Sequence, residues 1–312
     1  MRRGVWMPKP LWEGLTPEHL HAALAYAASM TSTSEVPLVF AGPTAAAIMG
    51  LPRIAPWPRD VVVLADPRRE PKRVRGCAPG LRRRVGVIDA AIVVGGLHIT
   101  PPARTVIDLA RTGSLADAVA AADQALRRGL CSRDDLFDEI AVIPPHANGK
   151  VKTKFTAGFA NALAMNGGES LSRLNMYRLN VAEPELQVAF QDTDGLIGYV
   201  DFYWKGRGGR GVIGEFDGKI KYGIDEELGR EDRKNALWRE KLREDRLRKT
   251  DDVARWTWAV ASDPDRLGRE LADHGIRPLR RNTWSLPPSP STQSVSSPLT
   301  APSHGGPASR AS

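Results

Sequence analysis

Two strand-like segments, joined by a glycine- and arginine-rich connection, constrain this chain more than any other feature. Residues 197–204 are rich in aromatic and β-branched side chains, which favour a strand. Val212–Asp217 follows after Lys205-Gly206-Arg207-Gly208-Gly209-Arg210-Gly211. The spacing predicts two adjacent strands. Alternation then puts Glu215 and Asp217 on one face of the second strand, together with Ile213. Asp201, in the first strand, is set apart from Val200 and Phe202 by the same alternation. A lone Asp in a strand centre is disfavoured. Crowded carboxylates repel one another unless a cation lies between them. Oxygen donors at such loose spacing suit Mg²⁺ or Mn²⁺. A second reading has Glu215 and Asp217 as solvated residues of an edge strand. Asp201 then bridges to a neighbouring Arg or Lys, and Lys219 and Lys221 are turn charges.

The 312 residues suffice for two domains of ordinary size. The formal charge of +8 favours an anionic partner, most simply nucleic acid. Cys77 and Cys131 are far apart and in no metal-like spacing, which argues against a disulfide framework and a zinc site and fits a reducing cytoplasm. No apolar run reaches the roughly 20 residues of a membrane span. The opening Met1-Arg2-Arg3-Gly4-Val5-Trp6-Met7-Pro8 lacks the apolar stretch of a signal peptide.

Along the chain, Thr16 with Pro17 predicts the start of an alanine-rich helix. Gly42-Pro43 opens another that ends at Gly50. Val61–Leu64 reads as a buried strand. Basic clusters surround Arg68–Arg75 and Arg82–Arg84, and strand-like runs broken by Gly95-Gly96 fill residues 85–99. Thr100 is expected to cap a helix reaching Arg111. Ser114 with Asp117, and Ser132 with Asp135, start two more. Pro144-Pro145-His146-Ala147-Asn148-Gly149 marks a domain boundary. Helices near residues 152–165 and 169–179 follow, then a strand at Leu186–Phe190 and the two acidic strands. A charged helix over 225–248, a strand over 254–260 and a helix over 264–274 complete the second half. From Ser285 the chain is rich in Ser and Pro and cannot bury apolar surface, so a disordered tail is expected.

The pattern Asp201 … Glu215-x-Asp217-Gly218, with a basic residue beyond, resembles the PD-(D/E)XK nucleases, specifically the branch similar to very-short-patch-repair endonucleases. Asp217 stands where most of the superfamily has Lys. Lys221 holds the place of that branch's common His, with Lys219 two residues earlier. Gly168-Glu169-Ser170-Leu171-Ser172-Arg173 looks like the branch's helix, with Glu169 as its acid. The resemblance also implies that Arg243, of an Arg-x-Asp pair with Asp245, packs near the site. In the N-terminal half, Thr44-Ala45-Ala46-Ala47-Ile48-Met49-Gly50-Leu51-Pro52 and Thr100-Pro101-Pro102-Ala103-Arg104-Thr105-Val106-Ile107-Asp108-Leu109-Ala110 resemble actinobacterial proteins with an AbiEi-like antitoxin region. In those proteins a winged helix-turn-helix precedes a strand that Arg3-Gly4-Val5-Trp6-Met7-Pro8 resembles. The preceding helices are not found here, so either the start lies upstream of Met1 or the reading head is lost.

The expected fold is α/β. A mixed α+β, antitoxin-like domain spans residues 1–148, a PD-(D/E)XK-like core spans 149–284, and the tail spans 285–312. The resemblance implies that Asp201 and Glu215 bind Mg²⁺ or Mn²⁺. Asp217, Lys219, Lys221 and Glu169 complete the candidate catalytic set. Arg207 and Arg210 are candidate DNA contacts, since Arg suits phosphate; the alternative is a plain flexible hairpin loop. Glu169 also has an ordinary explanation, as an acid near a helix start and four residues before Arg173. Two functions stay open. One is a Mg²⁺-dependent DNA endonuclease or nickase in defence or toxin–antitoxin biology. The other is a non-catalytic DNA-binding antitoxin or repressor built on a degenerate nuclease fold. The expected partners are DNA and a cognate toxin, with no membrane.

Overall fold

The computed structural model describes residues 4–68, 79–206, 209–218 and 230–286. Local signals set most helix starts. Thr16 Oγ1 accepts the His19 N–H ahead of α2 (Pro17–Met30), after a short α1 (Lys9–Glu13). Gly50, in the left-handed region, ends α3 (Pro43–Met49). Ser114 caps α5 (Leu115–Arg127), and Ser132 forms a reciprocal capping box with Asp135 at the start of α6 (Arg133–Ala141). α4 (Pro102–Thr112) departs from expectation. Its N-cap is Pro101, and the Thr100 hydroxyl bonds instead to that of Thr105 at 2.8 Å. Residues 5–8 join no strand.

These helices pack on a five-stranded mixed sheet of β1 (Val39–Phe40), β2 (Val61–Ala65), β3 (Leu81–Val85), β4 (Ile92–Val94) and β5 (Leu97–Ile99), ordered β3-β2-β1-β5-β4. The Arg82–Arg84 cluster is therefore part of a strand, paired parallel to β2. Phe40, Leu51, Ile99, Val106, Ile107 and Leu136 lie at the centre of this core. α7 (Lys150–Phe159) stops short of the expected residue 165. It packs on α4, α5 and α6, so packing continues across the boundary read at residue 148.

The second sheet runs β6-β7-β8-β9, with β6 (Glu185–Asp192), β7 (Gly195–Trp204) and β8 (Val212–Asp217) antiparallel in turn. β9 (Asp252–Thr257) lies parallel to β8. A parallel neighbour needs a crossover, and α9 (Arg230–Leu247) provides it. The last strand ends earlier than expected, because Trp258–Ala261 form a helical turn, α10, before α11 (Pro264–Asp273). α8 (Gly167–Arg178) and α11 cover one face, over Met176, Phe202, Trp204, Trp256 and Leu267. Leu247 of α9 seals the other, over Val200, Ile213 and Val253.

Buried polar contacts join the two halves. Arg173 on α8 holds Asp123 on α5 through two bonds of 2.9 and 3.0 Å, donates to the Phe159 carbonyl, and lies 4.0 Å over the Phe159 ring. No helix among the described residues is long and apolar enough to cross a membrane.

Candidate functional site

The second sheet changes face at one step. Leu186 and Phe202 pair across β6 and β7 and point to the α8 side. Val188 and Val200, the next pair along, point to the α9 side. Between them stand Gln187 and Asp201. Simple alternation, which would keep Val200 and Phe202 on one face, is therefore broken at Asp201. On β6 the step coincides with Gln187, whose φ of 51° lies in the left-handed region that non-glycine residues rarely adopt. A glutamine held there is strained, and such strain persists only where the surroundings over-determine it.

The Gln187 amide reaches two carboxylates. Its Nε2 donates to Asp201 Oδ1 at 3.2 Å and to Glu169 Oε2 at 3.3 Å. Asp201 Oδ2 accepts the Phe216 N–H at 2.8 Å, so the side chain binds a strand N–H beyond the last β7–β8 pair. Glu169 is only 4% exposed and accepts from Met165 N at 2.7 Å and Asn166 Nδ2 at 2.6 Å. The helix that carries it approaches closely because residue 168 is glycine. A Cβ there would meet the Phe216 ring at 2.0 Å. The carboxyls of both acids are raised above their ordinary range. Burial is the main cause in each; Asp201 adds to it for Glu169, and Glu215 adds to it for Asp201. Burial and the neighbouring acids thus favour the protonated form of both carboxyls.

Glu215 lies on the α9 side, buried, opposite Arg255 of β9. Arg243 of α9 grips it with two bonds, 2.7 Å to Oε1 and 3.1 Å to Oε2, and also donates to the Tyr199 carbonyl at 2.8 Å. Arg255 adds a bond of 3.2 Å to Oε2. Asp217 is half-buried two residues further along β8, opposite Thr257.

The structure therefore brings Glu169, Asp201 and Glu215 together, from a helix and two strands. Arg243 packs on Glu215, whereas Asp245 is exposed. The i,i+4 pair of Glu169 with Arg173 does not form, because Arg173 turns to Asp123. Arg210 is exposed at the opening of β8, roughly 16 Å of extended chain from Glu215, and its charge acts on Asp252. Arg207, Lys219 and Lys221 lie outside the described residues, as do residues 287–312 of the tail. Sequence reasoning missed Gln187 and Arg255. A polar residue between Leu186 and Val188 was the one visible trace of the first. Arg255 becomes visible only once the β8–β9 register is known.

Among the described residues, no group of three or more His, Cys, Asp or Glu side chains could hold a metal ion. Mg²⁺ commonly retains several waters and takes only one or two protein carboxylates. The donor chemistry of Asp201 and Glu215 fits such an ion, which would compete with Arg243 for Glu215. No match to a protein-family model, a curated protein or a solved structure was found for this chain.

Proposed function

We propose that this chain is a DNA-binding protein whose second half is a Mg²⁺-dependent endonuclease or nickase. The observation that carries the reading is the convergence of Glu169, Asp201 and Glu215 at the strained Gln187 step. Raised pKa values, here at Glu169 and Asp201, cluster at functional sites. The two acidic strands, the crossover helix and the parallel strand, after the helix of Glu169, also support it, since a strand–strand–helix–strand order after an opening helix fits the core that the sequence resemblance implies. Asp201 and Glu215 would hold the ion. When bound, it would activate a water and polarise the scissile phosphate. The chain's own residues set the stage. Gln187 and the Phe216 N–H fix both oxygens of Asp201, and Arg243 fixes the plane of the Glu215 carboxylate. The +8 charge of the chain favours the polyanionic substrate. The test is supercoiled-plasmid nicking with Mg²⁺ or Mn²⁺, beside Asp201→Asn and Glu215→Gln. Each substitution should reduce nicking by orders of magnitude, and nicking that survives both would refute the assignment.

A second reading rests on the double arginine grip on Glu215. Two guanidiniums there neutralise the charge that an ion needs, as expected of a DNA-binding antitoxin or repressor with a silenced nuclease core. That reading gains if wild-type protein binds DNA but does not nick it with any divalent ion. A cognate toxin, the partner implied by the N-terminal resemblance, should then co-purify with the full chain.

A further inference from the structure

A cleft of about 1120 Å³ lies between the N-terminal helices, the loop of residues 52–58 and the start of α10, lined by Trp12, Trp57 and Trp258 together with Glu18, His21 and Arg53. We propose that it is a nucleobase-binding site that receives an unstacked base of the nucleic acid next to the acidic cluster.

The cleft is built in advance. The Trp57 ring stacks on the buried His21 ring at 5.4 Å and 24°, and His21 is tied to the Thr44 hydroxyl at 2.9 Å. The loop that carries Trp57 is anchored by Asp117, whose Oδ1 accepts the N–H groups of Ile54 and Ala55 at 2.8 Å each. Arg53 has Nε 3.4 Å from Asp117 Oδ2 and its guanidinium 5.8 Å from the Trp57 ring centre. Its Nη1 is buried without a hydrogen-bond partner. Indole walls favour flat rings. A guanidinium and a carboxyl on the same walls favour a ring whose edge both accepts and donates hydrogen bonds, which a hydrocarbon lacks. A cationic ligand, the other usual occupant of an aromatic cage, is disfavoured by Arg53 beside Trp57.

Phe216 connects the cleft to the acids. Trp258 meets the Phe216 ring edge-on at 6.1 Å, and the Phe216 N–H is the one bound by Asp201. The inference deepens the endonuclease reading and rests on it for the identity of the phosphodiester, but not for the binding itself.

The experiment is tryptophan-emission titration of the full chain in EDTA. The probes are a short oligothymidylate, the same strand made abasic, and thymidine monophosphate. Quenching by the oligomer and not by its abasic counterpart is expected. Trp12→Ala should weaken that binding about 5- to 150-fold, the change produced by about 1–3 kcal/mol of base stacking. This variant is safe for the fold, because α1 buries no residue. Tighter binding of the oligomer than of the monophosphate is expected for a base within a strand; equal binding, which assigns the cleft to a free nucleotide, overturns the proposal. Equal binding of the abasic strand, or no effect of Trp12→Ala, overturns it. Nicking without base-dependent quenching would sink the cleft assignment alone. Quenching without nicking would sink the enzyme reading alone.

Discussion

Replacing Glu169 by Gln should make the protein's stability less sensitive to rising pH. Glu169 is buried, and its carboxyl is raised above the ordinary 4.5, first by burial and then by Asp201. The folded state therefore holds the Glu169 proton more tightly than the unfolded chain does. The stability linked to this group is fully present below about pH 4.5. It is lost as pH rises from there toward the folded-state pKa, by about 1.4 kcal/mol for each unit of the upward shift. Glutamine mimics the protonated acid: one oxygen accepts and the other position donates. All three partners of Glu169 are donors: the Met165 N–H, Asn166 Nδ2 and Gln187 Nε2. Asn166 cannot turn to accept, because its Oδ1 already serves the N–H groups of Gly168 and Glu169. Protonated glutamic acid and glutamine meet the same mismatch, so the two proteins should agree within about 1 kcal/mol near pH 5. Near pH 8 the variant should be the more stable. Urea unfolding of both proteins across this range measures the gap; titrating groups that do not interact with Glu169 cancel in the difference, and the remainder belongs to Glu169 together with Asp201, its coupled neighbour. Mg²⁺ at ten times its dissociation constant should stabilise the wild type by about 1.4 kcal/mol at pH 8, and the variant less. A stability difference that stays constant from pH 5 to pH 8 would refute the argument that Glu169 is a buried acid under electrostatic stress.

Other substitutions probe the frame around the site. Arg173→Ala leaves Asp123 buried without its cation and should cost about 3–5 kcal/mol in chemical denaturation; a loss below about 1 kcal/mol would mean that the pair does not join the halves. Gln187→Ala and Gln187→Gly both remove the amide, but only Ala keeps a side chain at a left-handed φ. Ala should therefore be the less stable of the two by about 1 kcal/mol, and equal melting would argue against backbone strain. Burial lowers the His21 imidazole to about 4, so it stays neutral in the fold while the unfolded chain protonates near 6.5. Stability from His21 is thus present above pH 6.5 and is lost as pH falls toward 4, by about 3 kcal/mol in all. His21→Gln should flatten the acid limb of the stability curve, and an unchanged limb would exclude His21 as its source.

Much of this architecture was legible because its determinants are local. Thr16, Gly42-Pro43 with Gly50, Ser114 and the Ser132–Asp135 box each act within four residues of a helix end, and the corresponding helices form there. Asp201 and Glu215 were legible because acids in aromatic, β-branched strands conflict with their surroundings whatever those strands pack against. Thr100 misled because Pro101 takes the N-cap position, which leaves the Thr100 hydroxyl to bond that of Thr105. Residues 258–260 read as a continuing strand, since Trp, Ala and Val carry no stop signal, yet β9 ends at Thr257.

The sequence by itself determined where the helices begin, which strands carry the acids, and that charge would gather on the second sheet. Only the tertiary structure decided what that charge meets. The left-handed φ of Gln187 accompanies the change of face beside Asp201, a backbone choice that no residue type there announces. The grip of Arg243 and Arg255 on Glu215 depends on a crossover helix and a parallel register that bring together residues 28 and 40 positions apart in the chain. Such contacts follow from packing, because a guanidinium stays beside a buried carboxylate only where the surrounding apolar surface has already fixed both backbones.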